Sequence, residues 1–329
     1  MLERQQSDDM ILEIKNLKFW YKVYKGYSKV LDGVSLSVRK GEKVGIVGEA
    51  GCGKTTTVKT ILGIVPEKRY VIPEGEVIYK GKDILDMSGR ELNTVRSGEI
   101  SMIYQEPAAA LNPVFTIGQQ MMDVAKYSSQ GKGKKKKELR EMVLRAIDDV
   151  FIPDSERIFG FYPSQLSGGM KQRICIAMAI MTQRDLMIAD EPGTALDVTI
   201  QDQVHKTLDK LVEERNMSLI MITHSLGVAR ELTDRINVMY AGTVVESAKT
   251  ADLFRHTCHP YTIGLMEAVP RLSGGGIQAG IYGSIPDYLY PPKGCRFAPR
   301  CSRATRECQE SKPPAVDVGD GHMVACFHI

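Results

Sequence analysis

The chain has 329 residues, 43 % of them apolar, with 43 basic against 40 acidic side chains and a formal charge of +3. That length predicts a main domain with one or two satellites, and the mild charge gives no case for nucleic-acid binding. The polar start at residues 1–9 has no apolar h-region and no uninterrupted apolar run is long enough to span a bilayer, so a cytosolic chain is expected, its seven cysteines thiols or metal ligands rather than disulfides.

Along the chain, Leu12-Glu-Ile-Lys-Asn-Leu17 and Val34-Ser-Leu-Ser-Val38 alternate apolar with polar residues, as half-buried antiparallel strands do, and Arg39-Lys-Gly-Glu42 supplies a turn. Lys43-Val-Gly-Ile-Val47 is a compact apolar strand running into Gly48-Glu-Ala-Gly-Cys-Gly-Lys-Thr55, and Thr56 to Ile64 continues as a helix. The middle segment fits G-x-x-x-x-G-K-[ST] in the strand, loop, helix context of a phosphate cradle. Glycines at 48, 51 and 53 let successive N–H groups and a helix N-terminus converge on a polyphosphate, Lys54 neutralises the outer phosphates, and the Thr55 hydroxyl coordinates Mg2+. From about Asn112 to Met181 the pattern is largely helical, with Gly131-Lys-Gly-Lys-Lys-Lys-Lys137 as a solvated, mobile basic turn.

Asp185-Leu-Met-Ile-Ala189 and Ser218-Leu-Ile-Met-Ile-Thr223 are further buried strands, separated by a helical pattern from Ile200 to Arg215; this alternation predicts a mainly parallel sheet in an α/β fold. The first ends in Asp190, suited to holding Mg2+ through water, and Glu191, placed to polarise the water that attacks the terminal phosphate. From about Phe254 the chain is rich in glycine, proline and cysteine, which suggests a small appended module rather than continuation of the sheet. Cys295, Cys301, Cys308 and Cys326 are separated there by five, six and seventeen residues. Four such thiolates suit zinc or an iron–sulfur cluster, and spacing alone does not choose.

Leu166-Ser-Gly-Gly-Met-Lys-Gln-Arg173 resembles the signature of ABC ATPases. That resemblance implies a P-loop NTPase fold with a RecA-like sheet, N-terminal antiparallel strands and a helical insertion, and it implies ATP with Mg2+ as the ligand. In such proteins the signature of one subunit, here Ser167, Gly168, Gly169 and Gln172, covers nucleotide held by the P-loop of the other, here Gly48, Glu49, Ala50, Gly51, Cys52, Gly53, Lys54, Thr55 and Thr56. Gln105 looks like the Q-loop glutamine that reaches the metal and the attacking water, Asp197 in Ala195-Leu-Asp197 the D-loop, and His224 the switch histidine bridging the γ-phosphate and the general base. Tyr21, with Phe19 and Trp20 beside it, falls where the family stacks an aromatic ring on adenine.

Within that family, Gln105-Glu-Pro-Ala-Ala-Ala-Leu-Asn-Pro113, Asp197-Val-Thr-Ile-Gln201 and His259-Pro-Tyr-Thr262 look like the dipeptide and oligopeptide importer ATPases, a branch that includes nickel importers. The resemblance implies an ATPase domain over residues 1–255, with a helical subdomain at about 106–181, and a C-terminal module over 256–329. It favours a 4Fe-4S cluster on Cys295, Cys301, Cys308 and Cys326, with zinc as the alternative. The implied partners are a second ATPase subunit, usually a paralogue, two transmembrane permeases and an extracytoplasmic binding protein, with the chain peripheral on the cytoplasmic face. Import of nickel or another solute, and a soluble role in translation or DNA repair, are the rival readings. Departures from the family pattern are Ala50 and Cys52 in the P-loop, Gly193 where Thr is common, and Ser225 where Asp usually follows the histidine.

Overall fold

The computed structural model describes residues 9–65, 69–193, 198–269 and 280–329. They form two compact units, one holding the residues up to 86 and from 221 onward, the other residues 87–220.

In the first unit, β1 (Met10–Val23) and β2 (Gly26–Arg39) make a long antiparallel hairpin, extended by β4 (Tyr70–Tyr79) and the two-residue β5 (Lys82–Asp83) in the order β2-β1-β4-β5. Leu12, Ile14, Leu17 and Phe19 are buried, so the expected alternation holds, but both strands run well beyond the apolar patches that announced them. The extra length is hairpin edge, where cross-strand hydrogen bonds such as the Tyr21–Ser28 pairing need no apolar side chain. Between β2 and β4 lies β3 (Lys43–Val47), whose last four residues are all buried, followed by helix α1 (Lys54–Ile61). α1 is shorter than the pattern to Ile64 suggests, because Gly63 at φ +58° takes the left-handed conformation that ends a helix.

The second unit holds α2 (Gly89–Gly98), β6 (Ile100–Ile103), α3 (Pro107–Ala110), α4 (Ile117–Tyr127), α5 (Lys136–Asp149), α6 (Ser155–Phe159), α7 (Gly168–Ile180), β7 (Leu186–Asp190) and α8 (Val198–Glu214). β6 and β7 pair in parallel, Ile100 with Leu186 through Ile103 with Ala189. Capping boxes start α2 at Ser88 and Glu91 and α4 at Thr116 and Gln119, each satisfying two otherwise orphaned amides. The lysines of the basic turn are exposed as expected, while Gly131 is buried and donates its N–H to Ser128 Oγ at 3.0 Å.

The chain returns to the first unit within β8 (Ser218–Thr223) and continues through α9 (Leu226–Leu232), β9 (Arg235–Tyr240), β10 (Thr243–Lys249), α10 (Thr250–Arg255), α11 (Pro260–Glu267), α12 (Arg306–Glu310), β11 (Val316–Asp317) and β12 (Met323–Val324). β9 runs parallel to β3, but β10, β12 and β11 follow antiparallel, so the sheet is mixed. The expectation of an appendage separate from the sheet is thereby corrected. β12 pairs with β10 at Glu246 and Ser247, giving that strand a hydrogen-bonded neighbour on its outer side. One apolar core spans Val47, Val238, Tyr240, Tyr261 and Phe297, so the cysteine-rich segment shares its core with the strand that leads into the P-loop. No helix among the described residues is long and apolar enough to cross a membrane.

Candidate active site

The P-loop's geometry explains its glycines. A Cβ on Gly48 would lie 2.1 Å from the Met239 carbonyl oxygen and 2.9 Å from Cys52 Sγ, so the backbone approach there excludes any side chain. Gly53, the residue before α1, has φ +106°, and a Cβ on it would meet Leu31 at 2.7 Å. Lys54 is 5 % exposed, its Nζ held by the carbonyls of Gly48 at 2.7 Å and Glu49 at 3.1 Å, so a buried ammonium is ready at the loop's centre. Thr55 and Thr56 are half-buried at the start of the helix, and Ala50 and Gly51 form an exposed crest. Cys52 is fully buried and burial raises its thiol pKa, which leaves the sulfur a packing group.

In the second unit, Asp190 ends β7 at 2 % exposure and Glu191 follows with φ +48°, a left-handed conformation costly for a non-glycine residue. Gln105 Nε2 donates to Glu191 Oε2 at 3.0 Å, joining two side chains that lie 86 positions apart. Ser167 N-caps α7, its hydroxyl accepting from the Met170 N–H at 3.3 Å, and Ser167 and Gly168 are exposed. A Cβ on Gly169 would fall 2.8 Å from Ile200, so close packing on α8 demands glycine there. Gln172 is buried at 2 % exposure, unlike the serine and glycine before it.

The departures have local reasons. A Cβ on Gly193 would meet Gln201 at 2.6 Å and His205 Nε2 at 3.2 Å, so the threonine common elsewhere would require the Gln201 side chain to move. Ser225 N-caps α9 and accepts from the Val228 N–H, a task that Ser and Asp share. His224 just before it is exposed. Tyr21 is half-buried with its ring edge-on to Phe19 at 4.9 Å, and Phe19 in turn stacks on Tyr70. Asp197 lies outside the described residues.

Cys295, Cys301, Cys308 and Cys326 line one small cavity of about 20 Å³ together with His328 and Phe327. The sulfurs are supplied with donors: the Arg303 N–H to Cys301 at 3.4 Å and the His328 N–H to Cys326 at 3.3 Å, with Thr305 Oγ1 3.4 Å and His328 Nε2 3.5 Å from Cys308. Burial raises the thiol pKa of Cys295 and Cys301, and the neighbouring cysteines add to it, as crowded thiols without a cation require. Four converging sulfurs with such donors fit a group bound through thiolates. Cys175 stands apart on α7 at 8 % exposure, its thiol pushed up to about 12 by burial, as a core residue.

Nearby, Glu246, Cys258 and His322 bring one potential ligand atom each within 4.8 Å of one another. The carboxylate is already engaged, accepting from the Cys258 N–H at 2.8 Å and the His259 N–H at 3.0 Å, with His322 Nε2 at 2.8 Å. This buried group is a hydrogen-bond hub. Neither it nor the contacts that Tyr261, Tyr288 and Arg300 make with the P-loop could be foreseen, since Tyr261 and Arg300 lay in stretches noted for other reasons and no local pattern marks Tyr288.

A strand-loop-helix phosphate cradle, a carboxylate pair ending a buried strand and a serine-capped glycine signature define an ATP-hydrolysing cassette of the ABC type, and the ABC transporter family model matches residues 31–194. A second model, the oligopeptide/dipeptide transporter C-terminal region, matches residues 245–308. The dipeptide transport ATP-binding protein DppD of Bacillus subtilis is 40 % identical over 97 % of this chain and 95 % of its own, and the oligopeptide transport ATP-binding protein OppD of Salmonella typhimurium 40 % over 98 % and 95 %. A dimeric ATP-binding cassette solved with ADP and Pi after hydrolysis superposes with a TM-score of 0.65 at 28 % identity, covering 73 % of this chain and 98 % of that one. The chain belongs to the ATP-binding proteins of the dipeptide and oligopeptide ABC transporters.

Proposed function

We propose that this chain is the ATP-hydrolysing subunit that energises import of dipeptides or oligopeptides, working at the cytoplasmic face of the membrane with two permeases and an extracytoplasmic binding protein. Peptide cargo is supported by relatives named for dipeptide and oligopeptide transport that match nearly the full length of the chain. The observation that carries the hydrolytic role is the Gln105–Glu191 hydrogen bond. It holds Glu191, the general base, beside the residue that reaches the attacking water. In the first unit Lys54 and the loop amides would neutralise the phosphates of ATP, the Thr55 hydroxyl would take its Mg2+ and Tyr21 would pack against adenine; in the second, Asp190 and Gln105 offer oxygens of the kind such a cation takes. His224 contacts the γ-phosphate from the start of α9. Ser167 and Gly168, exposed at the N-terminus of α7, act with the neighbouring Gly169 on ATP held by a second ATPase subunit, a paralogue. Residues 106–181 are the helical subdomain that receives the permeases. ATP-driven closure and its release after hydrolysis supply the two states that alternating access requires.

The four cysteines are the ligands of a 4Fe-4S cluster. The four cysteines line one cavity with hydrogen-bond donors beside their sulfurs, which supports a group bound through thiolates there. A cluster supplies covalent cross-links among four chain segments, and this chain's part is to present four thiolates with their N–H donors.

In the assembled transporter, Glu191→Gln should abolish ATP hydrolysis while ATP binding persists; an unchanged rate overturns the assignment of the base. Reconstituted vesicles should accumulate a labelled dipeptide and not Ni2+, and the reverse result overturns the cargo. Protein prepared without oxygen should absorb broadly in the visible, and a colourless sample with stoichiometric zinc rejects the cluster.

A further inference from the structure

We infer that the segment after β10 holds the phosphate loop in its binding shape, with Tyr261, Tyr288 and Arg300 as positioning residues for ATP. The inference rests on the nucleotide reading above.

The crest of the loop needs outside support. Ala50 and Gly51 are exposed, and a Cβ on Gly51 would meet nothing within 4 Å, so side-chain packing does not restrain the turn. Hydrogen bonds do so instead. The peptide joining Gly48 to Glu49 is held at both ends: its N–H donates to Tyr261 Oη at 2.9 Å, and its carbonyl accepts from Lys54 Nζ at 2.7 Å. The peptide joining Gly51 to Cys52 is held likewise, its carbonyl accepting from the Tyr288 hydroxyl at 2.7 Å while its N–H donates to the Glu49 carbonyl at 3.2 Å. Arg300 Nη1 binds the Glu49 carboxylate at 2.9 Å. Between them, three side chains from one segment fix two of the peptides that set the crest and the one acidic side chain on it.

The holders are themselves firmly seated. Tyr261 is fully buried on α11, its ring 4.6 Å from Tyr240 and 5.4 Å from Phe297. The Arg300 guanidinium lies over Tyr240 at 5.6 Å and also donates to the carbonyls of Ile281 and Tyr282. Tyr288 has the Arg296 guanidinium 5.7 Å from its ring, and its carbonyl accepts from the Lys29 N–H. Burial raises the pKa of both tyrosines, so each hydroxyl keeps its proton and Tyr288 keeps its donor. A loop ordered before ATP arrives loses less freedom on binding, which is affinity gained without a direct contact.

The test uses the assembled transporter and MgATP. Tyr288→Phe removes one oxygen and is expected to raise KM for ATP and the Kd measured in a Glu191→Gln background about fivefold to tenfold, with kcat changed less than twofold. Arg300→Gln should do the same, Arg300→Lys should recover part of the loss, and the Arg300→Gln effect should vanish when Glu49→Gln is already present. If Arg300→Gln fails to fold, Tyr288→Phe alone carries the decision. Unchanged KM and Kd in Tyr288→Phe, or additive effects at Arg300 and Glu49, overturn the inference. A parent protein that binds no ATP would instead overturn the nucleotide reading.

Discussion

Replacing Glu246 by Ala removes the acceptor for three donors at once. Its carboxylate is fully buried and takes the backbone N–H groups of Cys258 and His259 and sits 2.8 Å from His322 Nε2, tying β10 to the turn before α11 and to the turn that leads into β12. Each buried donor left without a partner costs roughly 1 to 3 kcal/mol, so with some water entering the gap Glu246→Ala is expected to cost roughly 4 kcal/mol. In a unit of this size that lowers the thermal midpoint by about 10 °C. Urea unfolding gives the free energy, and hydrogen exchange at residues 258–263 locates it, since α11 should open first. Glu310→Gln is the control: its partner Arg306 is 89 % exposed, and the midpoint should not move. A loss below about 1 kcal/mol for Glu246→Ala would refute the hub. A chelator that destabilised the natural protein as much as the substitution would show that an ion, not hydrogen bonding, holds these three residues.

Gly48→Ala should abolish ATP binding while leaving the fold, because the new methyl meets the Met239 carbonyl at 2.1 Å; binding by calorimetry beside circular dichroism checks both. Cys52→Ser should leave KM for ATP within about twofold, since the natural sulfur is buried and protonated and the loop uses its backbone, a steady-state comparison that fails on a larger change. His259 is buried as the N-cap of α11, its Nδ1 accepting from the Tyr261 N–H, and burial pulls its pKa from 6.5 down to about 4. The unfolded chain therefore takes up this proton first: stability is intact above pH 6.5 and falls by about 3 kcal/mol as pH drops to about 4. His259→Asn keeps the cap without the titration, so its pH–stability curve should be flatter over that window than the parent's.

The chemistry was legible where it is local. The P-loop, the carboxylates after β7 and the serine that caps α7 each occupy a few consecutive residues whose backbone roles follow from residue type, and the buried strands β3, β7 and β8 declare themselves as apolar runs. What escaped was long-range. The antiparallel extension beyond β10 rests on β12 and β11, strands of two residues each, too short for any periodicity, and the tyrosines at 261 and 288 look like ordinary core and loop aromatics until folding carries them to the glycine loop. Gly193 read as a departure from pattern, and it sits against the Gln201 and His205 side chains of α8, which leave a larger residue room only by moving.

The supports of the phosphate loop also set a timetable. Glu49 and Tyr261 are 212 positions apart, and Gly51 and Tyr288 are 237 apart. At about 5 to 20 residues per second a ribosome needs roughly 10 to 50 s to cover that distance. Throughout this interval the loop has emerged but its holders have not been made, so a nascent chain carries the complete phosphate-binding motif well before it can hold that motif in shape.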